Sequence, residues 1–159
     1  MLILGIDPGL ERLGYGLVRR EGSRLQALEF GLIETPRIEL GARLLLLHQQ
    51  TSELLVRHRP DALATEKLLF SVNKKTAMDV AKALGVVMLA AGQHGLVVAE
   101  YTPPEVKQAV VGVGNAEKKQ IEFMVTKLLS LSRPPKPDDV ADALAIAICH
   151  AMRSRIAIR

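Results

Sequence analysis

Met1-Leu-Ile-Leu-Gly-Ile-Asp-Pro-Gly-Leu-Glu-Arg-Leu-Gly-Tyr-Gly-Leu-Val18 opens the chain, and its reading decides the fold. Leu2, Ile3, Leu4 and Ile6 form a short apolar run bounded by Pro8 and Gly9, which predicts a buried strand. Leu13 to Val18 predicts a second strand. The four residues Gly9 to Arg12 leave room for little but a hairpin between them, with Gly9 expected to supply backbone freedom at the turn. Asp7 then sits where a strand leaves the core, and a carboxylate there is costly to bury unless it meets a cation. The competing reading is an ordinary turn aspartate whose side chain bonds its own backbone.

Outward from this hairpin, Arg24 to Thr35 predicts a third strand, ended by Pro36. Apolar residues from Glu39 to His58 recur at helical spacing and stop before Pro60. Asp61 to Glu66 reads as a fourth strand that ends in a second acid. After the polar stretch Lys67 to Lys75, the apolar stripe of Ala77, Val80, Ala81, Leu84, Val87, Met88 and Ala91 predicts a long helix over Thr76 to His94. Leu96 to Tyr101 predicts a fifth strand. Helices are expected over Pro103 to Ala109, Ala116 to Leu129 and Asp138 to Met152, with a proline-rich loop from Ser132 to Pro137. Three strands able to pair as an antiparallel meander, then two strands alternating with helices, imply an α/β fold: a mixed five-stranded sheet covered by helices on both faces.

At 159 residues and 48% hydrophobic, the sequence predicts one globular domain spanning 1–159. No apolar run has the length of a membrane span, and Asp7 interrupts the first one too early for a signal peptide, so the expectation is a cytoplasmic protein. The single cysteine, Cys149, cannot form an internal disulfide and lies in an apolar helical run. Charge is unevenly spread. Residues 1–66 carry eight arginines and nine acids, residues 67–159 carry thirteen lysines or arginines and eight acids, and every lysine lies after residue 66. A basic second half suits a polyanionic partner, although solvated surface lysines produce the same bias. With aromatics at 3% and no tryptophan, base stacking is not expected to dominate binding.

Four acids occupy special places: Asp7 in the first strand, Glu66 ending the fourth, and Asp139 with Asp142 in the first turn of the last helix, where a spacing of three puts them on one face. Brought together, they make a cluster of like charges that is unstable without protons or divalent cations. An all-oxygen set suits Mg²⁺ or Mn²⁺, and the lack of histidine or cysteine in it argues against zinc. Asp139 or Asp138 can equally be read as a helix cap, and Glu66 as an exposed strand end. Asp142, set among small apolar residues, is harder to dismiss.

Leu4-Gly-Ile-Asp-Pro-Gly9 with Gly14-Tyr-Gly16, Glu66, Val106-Lys-Gln108 with Gly112-Val-Gly114, Glu117-Lys118, and Asp139-Val-Ala-Asp-Ala-Leu-Ala-Ile-Ala147 together resemble the bacterial RuvC family of Holliday-junction resolvases over nearly the whole chain. The resemblance implies a ribonuclease H-like fold and a homodimer. It also implies a catalytic and metal-holding tetrad of Asp7, Glu66, Asp139 and Asp142, with Asp138 as the register alternative to Asp139. Lys107 and Lys118 are then expected near the scissile phosphate, with Lys118 among the catalytic residues, and Lys74, Lys75 and Lys119 on the DNA arms. A wedge into the crossover falls on Leu69, where family members often carry an aromatic, or on Phe70 beside it. The dimer interface is expected on the long helix from Thr76 to Ala91. Two Mg²⁺ ions per subunit, which Mn²⁺ can replace, would support paired hydrolysis of opposite strands in a four-way DNA junction, and branch-migration motor proteins are a further partner of the family. Three other readings stay open: a sugar-kinase or actin-like phosphate hairpin, a module that binds branched DNA without cutting it, and a nuclease for structured RNA.

Overall fold

Residues 1–68 and 74–154 are described by a computed structural model, with side chains for 1–68 and 77–154. Strands β1 (Leu2–Asp7), β2 (Arg12–Glu21) and β3 (Arg24–Glu34) form the expected meander, β1 with β2 and β2 with β3 antiparallel. Helix α1 (Leu40–His58) leads to β4 (Ala62–Glu66), which pairs parallel with β1. Helix α2 (Lys74–Gln93) leads to β5 (Val98–Tyr101), parallel with β4. The sheet order is β3-β2-β1-β4-β5. Helices α3 (Pro103–Val111), α4 (Lys118–Leu128) and α5 (Asp138–Arg153) complete the chain.

Alternation along the strands divides two cores, one on each face of the sheet. Leu4, Ile6, Leu13, Leu17 and Leu63 point to α1 and α2. Ile3, Val18 and Ala64 point to α5, with α3 and α4 beyond it. By the same period of two, Asp7 follows Ile3 and Gly5, and Glu66 follows Ala64, onto the face that α5 covers.

α5 is buried almost all round, with Val140, Ala141, Ala143 to Cys149 and Ala151 all inside. Its small residues let it lie close on strands that are themselves stripped to glycine. A Cβ on Gly5 would stand 2.2 Å from the Ala143 carbonyl oxygen, and one on Gly14 would stand 2.0 Å from that of Asp139. The helix therefore touches the sheet backbone where a side chain would otherwise hold it off.

Four expectations need correction. Gly9 is not in the left-handed region; its missing side chain makes room for the Arg12 carbonyl oxygen, 2.1 Å from where a Cβ would sit. Strand β5 starts at Val98 rather than Leu96, because Gly95 turns the chain at φ +69° and the Leu96 N–H closes the end of α2 by donating to the Ala91 carbonyl. On α2 the buried face is Ala83, Leu84, Val87, Ala90 and Ala91, whereas Ala81, expected in the same stripe, is exposed. Asp142 opens the second turn of α5, and the N-cap is Pro137, so neither Asp138 nor Asp139 is the capping residue.

Candidate active site

The first hairpin and the parallel pair fix two carboxylates side by side. Asp7 stands opposite Gly14 in β2, and Ile6 stands beside Thr65 in β4, so Asp7 and Glu66 are the next positions along neighbouring parallel strands. Both are half-buried at the end of the sheet. Asp7 makes no hydrogen bond to the Pro8–Gly9 turn among the described residues, which removes the turn-aspartate reading.

α5 contributes the other two acids. Its first residues lie over Gly14, so the Asp139 main chain approaches the strand pair within van der Waals distance of the residue facing Asp7. Asp142, one turn further along, is two-thirds covered, with a side-chain exposure of 34%.

The electrostatics report the convergence. Burial, then the negative charges of Asp142, Glu66 and Asp139, push the Asp7 carboxyl up to about 8, against a smaller opposing pull from Lys118. Glu66 is raised by burial and by Asp142, with Lys107 opposing. Asp142 is raised by burial, partly offset by the charge and hydrogen bond of Lys118. Among the described residues no three carboxylate, imidazole or thiolate groups already close on one point.

Asp138 and Asp139 are separated by their partners. Asp138 is exposed and clamped between Lys118 Nζ at 3.0 Å and Lys136 Nζ at 3.6 Å, and the Lys118 hydrogen bond holds its carboxyl below the usual range. Asp139 faces inward, and its buried Oδ2 accepts no hydrogen bond. Arg12 places a guanidinium nitrogen 3.3 Å from that oxygen, close enough for charge attraction but not aligned to donate to it. An inward oxygen without a donor is what a cation ligand needs, so the geometry favours Asp139 over Asp138.

The expected cations lie on the opposite flank. Lys118 is the first residue of α4, its Nζ 3.0 Å from Asp138 Oδ2 and 3.5 Å from Asp142 Oδ2. Burial works against its charge, but these carboxylates raise it overall. Lys107, on α3, lines a small cleft of about 100 Å³ with Glu66, Asp142 and Ile121. Lys119 is exposed one residue further along α4. Lys74 and Lys75 start α2, but their side chains lie outside the described residues, as do Leu69 and Phe70 altogether. Arg12 and Lys136 were not singled out in the sequence. For Arg12 the one available signal is its place two residues before Gly14; for Lys136 nothing distinguishes it from other loop lysines.

The donor set fits a hard divalent cation: four carboxylates, one orphaned buried oxygen, and one acid forced to hold a proton near neutrality in the cation's stead. Asp7, Glu66, Asp139 and Asp142 are the residues able to hold it. Ions so placed next to Lys107 and Lys118 would meet a phosphodiester.

Comparison with known proteins gives concordant results. The family model described as "Crossover junction endodeoxyribonuclease RuvC" matches residues 3–150. The crossover junction endodeoxyribonuclease RuvC of Syntrophomonas wolfei is 48% identical over 157 residues, 98% of this chain and 91% of that protein. Its counterpart in Alkaliphilus metalliredigens is 51% identical over 152 residues, 95% of this chain and 93% of that protein. Thermus thermophilus RuvC in complex with Holliday junction substrate superposes with a TM-score of 0.91 at 39% identity, covering 96% of this chain and 93% of that one.

Proposed function

Because this chain belongs to the RuvC family of crossover junction endodeoxyribonucleases, we propose that it cuts four-way DNA junctions with Asp7, Glu66, Asp139 and Asp142 as its metal-holding acids. The protein is a metal-dependent structure-specific endonuclease that binds junction DNA in recombination and repair. Mg²⁺, two ions per subunit, is the metal this donor set suits best, with Mn²⁺ able to replace it. When bound, such ions supply an activated water and stabilise the departing 3′ oxygen.

The chain's own groups do the rest. Asp7, between β2 and β4, is central to the acid set and would be ionised when holding a cation. Glu66, next to Lys107, would hold the cation that stabilises the leaving group. Asp139 and Asp142, on one face of α5, would hold the cation that orients water. Lys118 balances Asp142 in the free protein and turns to a phosphate oxygen when DNA enters. Lys74, Lys75, Lys107 and Lys119 contact backbone phosphates of the arms, which makes binding fall steeply with salt. Leu69 or Phe70 enters the crossover as the wedge.

Paired incision needs two subunits, and α2 carries a surface suited to that. Met78, Ala81, Gly85 and Leu89 are exposed on the face away from the core, with Met78 at 62% and Leu89 at 57%. A Cβ on Gly85 would meet nothing within 4 Å, which leaves space for a second helix to approach closely. We assign this face to the homodimer. Residues 1–159 act as one nuclease domain in the cytoplasm, with a branch-migration motor as a further partner. No described helix is long and apolar enough to cross a membrane.

The observation that carries this reading is the placement of Asp7 and Glu66 side by side at the ends of β1 and β4, under the helix that brings Asp139 and Asp142. The test is a labelled synthetic four-way junction in Mg²⁺, beside linear duplex of the same sequence, a chelator control and Asp7→Asn. Symmetric nicks in the junction alone, lost with chelator or substitution, are expected. Junction binding without cuts in either metal would instead indicate a binding module, and equal cleavage by Asp7→Asn would remove the mechanism.

A further inference from the structure

Arg12 has no place in the mechanism above, yet among the described residues it is the cation nearest the orphaned oxygen of Asp139. Its backbone is fixed. Arg12 pairs with Glu34 in the β2–β3 ladder, the Thr35 N–H donates to the Glu11 carbonyl, and Thr35 Oγ1 donates to the Leu10 carbonyl at 2.6 Å while accepting from Arg43 Nε at 2.9 Å. Its side chain is loose by comparison. It is 52% exposed against 26% for Asp139, and it reaches Asp139 Oδ2 at 3.3 Å without hydrogen-bond alignment. The guanidinium borders a cleft of about 300 Å³ shared with Gly9, Leu10, Arg43 and Asp139, which gives it somewhere to go.

We propose that Arg12 is the exchangeable counter-cation of Asp139: it neutralises Oδ2 in the metal-free protein and yields that oxygen to a divalent cation. The inference rests on the assignment of Asp139 as a ligand. A misaligned, half-exposed pair is weak enough to be surrendered, whereas a buried carboxylate with no cation at all would oppose folding of the metal-free chain. The two partners of Asp139 compete, because a guanidinium in contact with Oδ2 repels a second cation brought to the same oxygen. Lys118 plays a different part, since its nearer partner is Asp138, at 3.0 Å and outside the acid set.

The test measures Mn²⁺ binding to the full chain without DNA, by calorimetry and by loss of the free-ion paramagnetic resonance signal, for wild type, Arg12→Gln, Arg43→Gln and Asp139→Asn. Arg12→Gln is expected to bind Mn²⁺ about threefold to fivefold more tightly. Arg43→Gln, which removes a cation of the same cleft that does not touch Asp139, stays within about twofold of wild type. Asp139→Asn weakens binding about tenfold. Thermal unfolding gives a second readout: Arg12→Gln melts about 1–3 °C lower than wild type without metal, and the gap closes at saturating Mn²⁺. Mn²⁺ binding to Arg12→Gln no tighter than to wild type, or a melting gap unchanged by Mn²⁺, overturns the inference alone. Wild-type affinity in Asp139→Asn overturns the ligand assignment, and the inference with it.

Discussion

Asp7 and Gly14 face one another across the first hairpin, and the main chain of Asp139 rests on the hydrogen of Gly14. One glycine thus sets the distance between two of the four acids. Gly14→Ala would place a Cβ 2.0 Å from the Asp139 carbonyl oxygen and force the start of α5 outward. Junction cleavage is expected to fall about a hundredfold, the usual effect of displacing catalytic groups by about 1 Å. Binding measured in the presence of Ca²⁺ should change little, because the lysines proposed to contact phosphates are carried by α2, α3 and α4 rather than by α5.

The raised Asp7 carboxyl links folding to pH. Its ordinary value is 3.8 and its folded value about 8, so between these the folded chain holds a proton that the unfolded chain has lost. Its contribution to stability is therefore full below about pH 4 and is lost as pH rises through about 8. Metal-free protein should melt at falling temperature from pH 5 to pH 8, and Asp7→Asn should flatten that slope. Metal reverses the sense, since a cation displaces the proton: Mg²⁺ affinity and cleavage should both rise over the same interval. A metal-free melting temperature that climbs between pH 5 and 8 in step with Asp7 ionisation would contradict the arrangement.

The neighbours Asp138 and Asp139 should part sharply on substitution. Asp138→Asn removes an exposed partner of Lys118 and Lys136, and cleavage at saturating Mg²⁺ should stay within about threefold of wild type. Asp139→Asn should lower cleavage by about two orders of magnitude or more, with the loss partly recovered by raising the metal concentration. Equal loss in the two variants would put the register in error.

Charge on the outer face of α2 separates folding from assembly. Leu89 is 57% exposed and Gly85 borders open space, so Leu89→Glu and Gly85→Arg cost the single chain little. Sedimentation should show a dimer for wild type and monomers for both variants at micromolar concentration, with melting shifted by no more than the lost association explains. Their junction products should change from paired incisions to single nicks.

Much of the site is written in short stretches of sequence. Asp7 and Glu66 each end an apolar run, and the strand period alone directs them to one face of the sheet. The spacing of Asp139 and Asp142 is equally local. What could not be read locally depended on packing. Asp138 and Asp139 differ by one residue, and only the fit of α5 over Gly14 decides which faces inward. The Arg12 contact joins the start of β2 to a helix 127 residues later, and no periodicity marks it. On α2 two apolar faces overlap in the sequence, so the spacing places Ala81 in one stripe with the buried Leu84 and Val87 although the helix presents it outward. Strand β2 runs on to Glu21, past its apolar residues, because β3 pairs with it as far as the turn at Gly22.

The acids come from three places along the chain, and α5 is the last described element to be made. Until α5 has been added, β1 and β4 carry only Asp7 and Glu66, two of the four acids proposed to hold metal. A nascent chain that meets nucleic acid at that stage has no complete centre with which to cut it. Closing the acid set therefore waits on the docking of the final helix over Gly5 and Gly14.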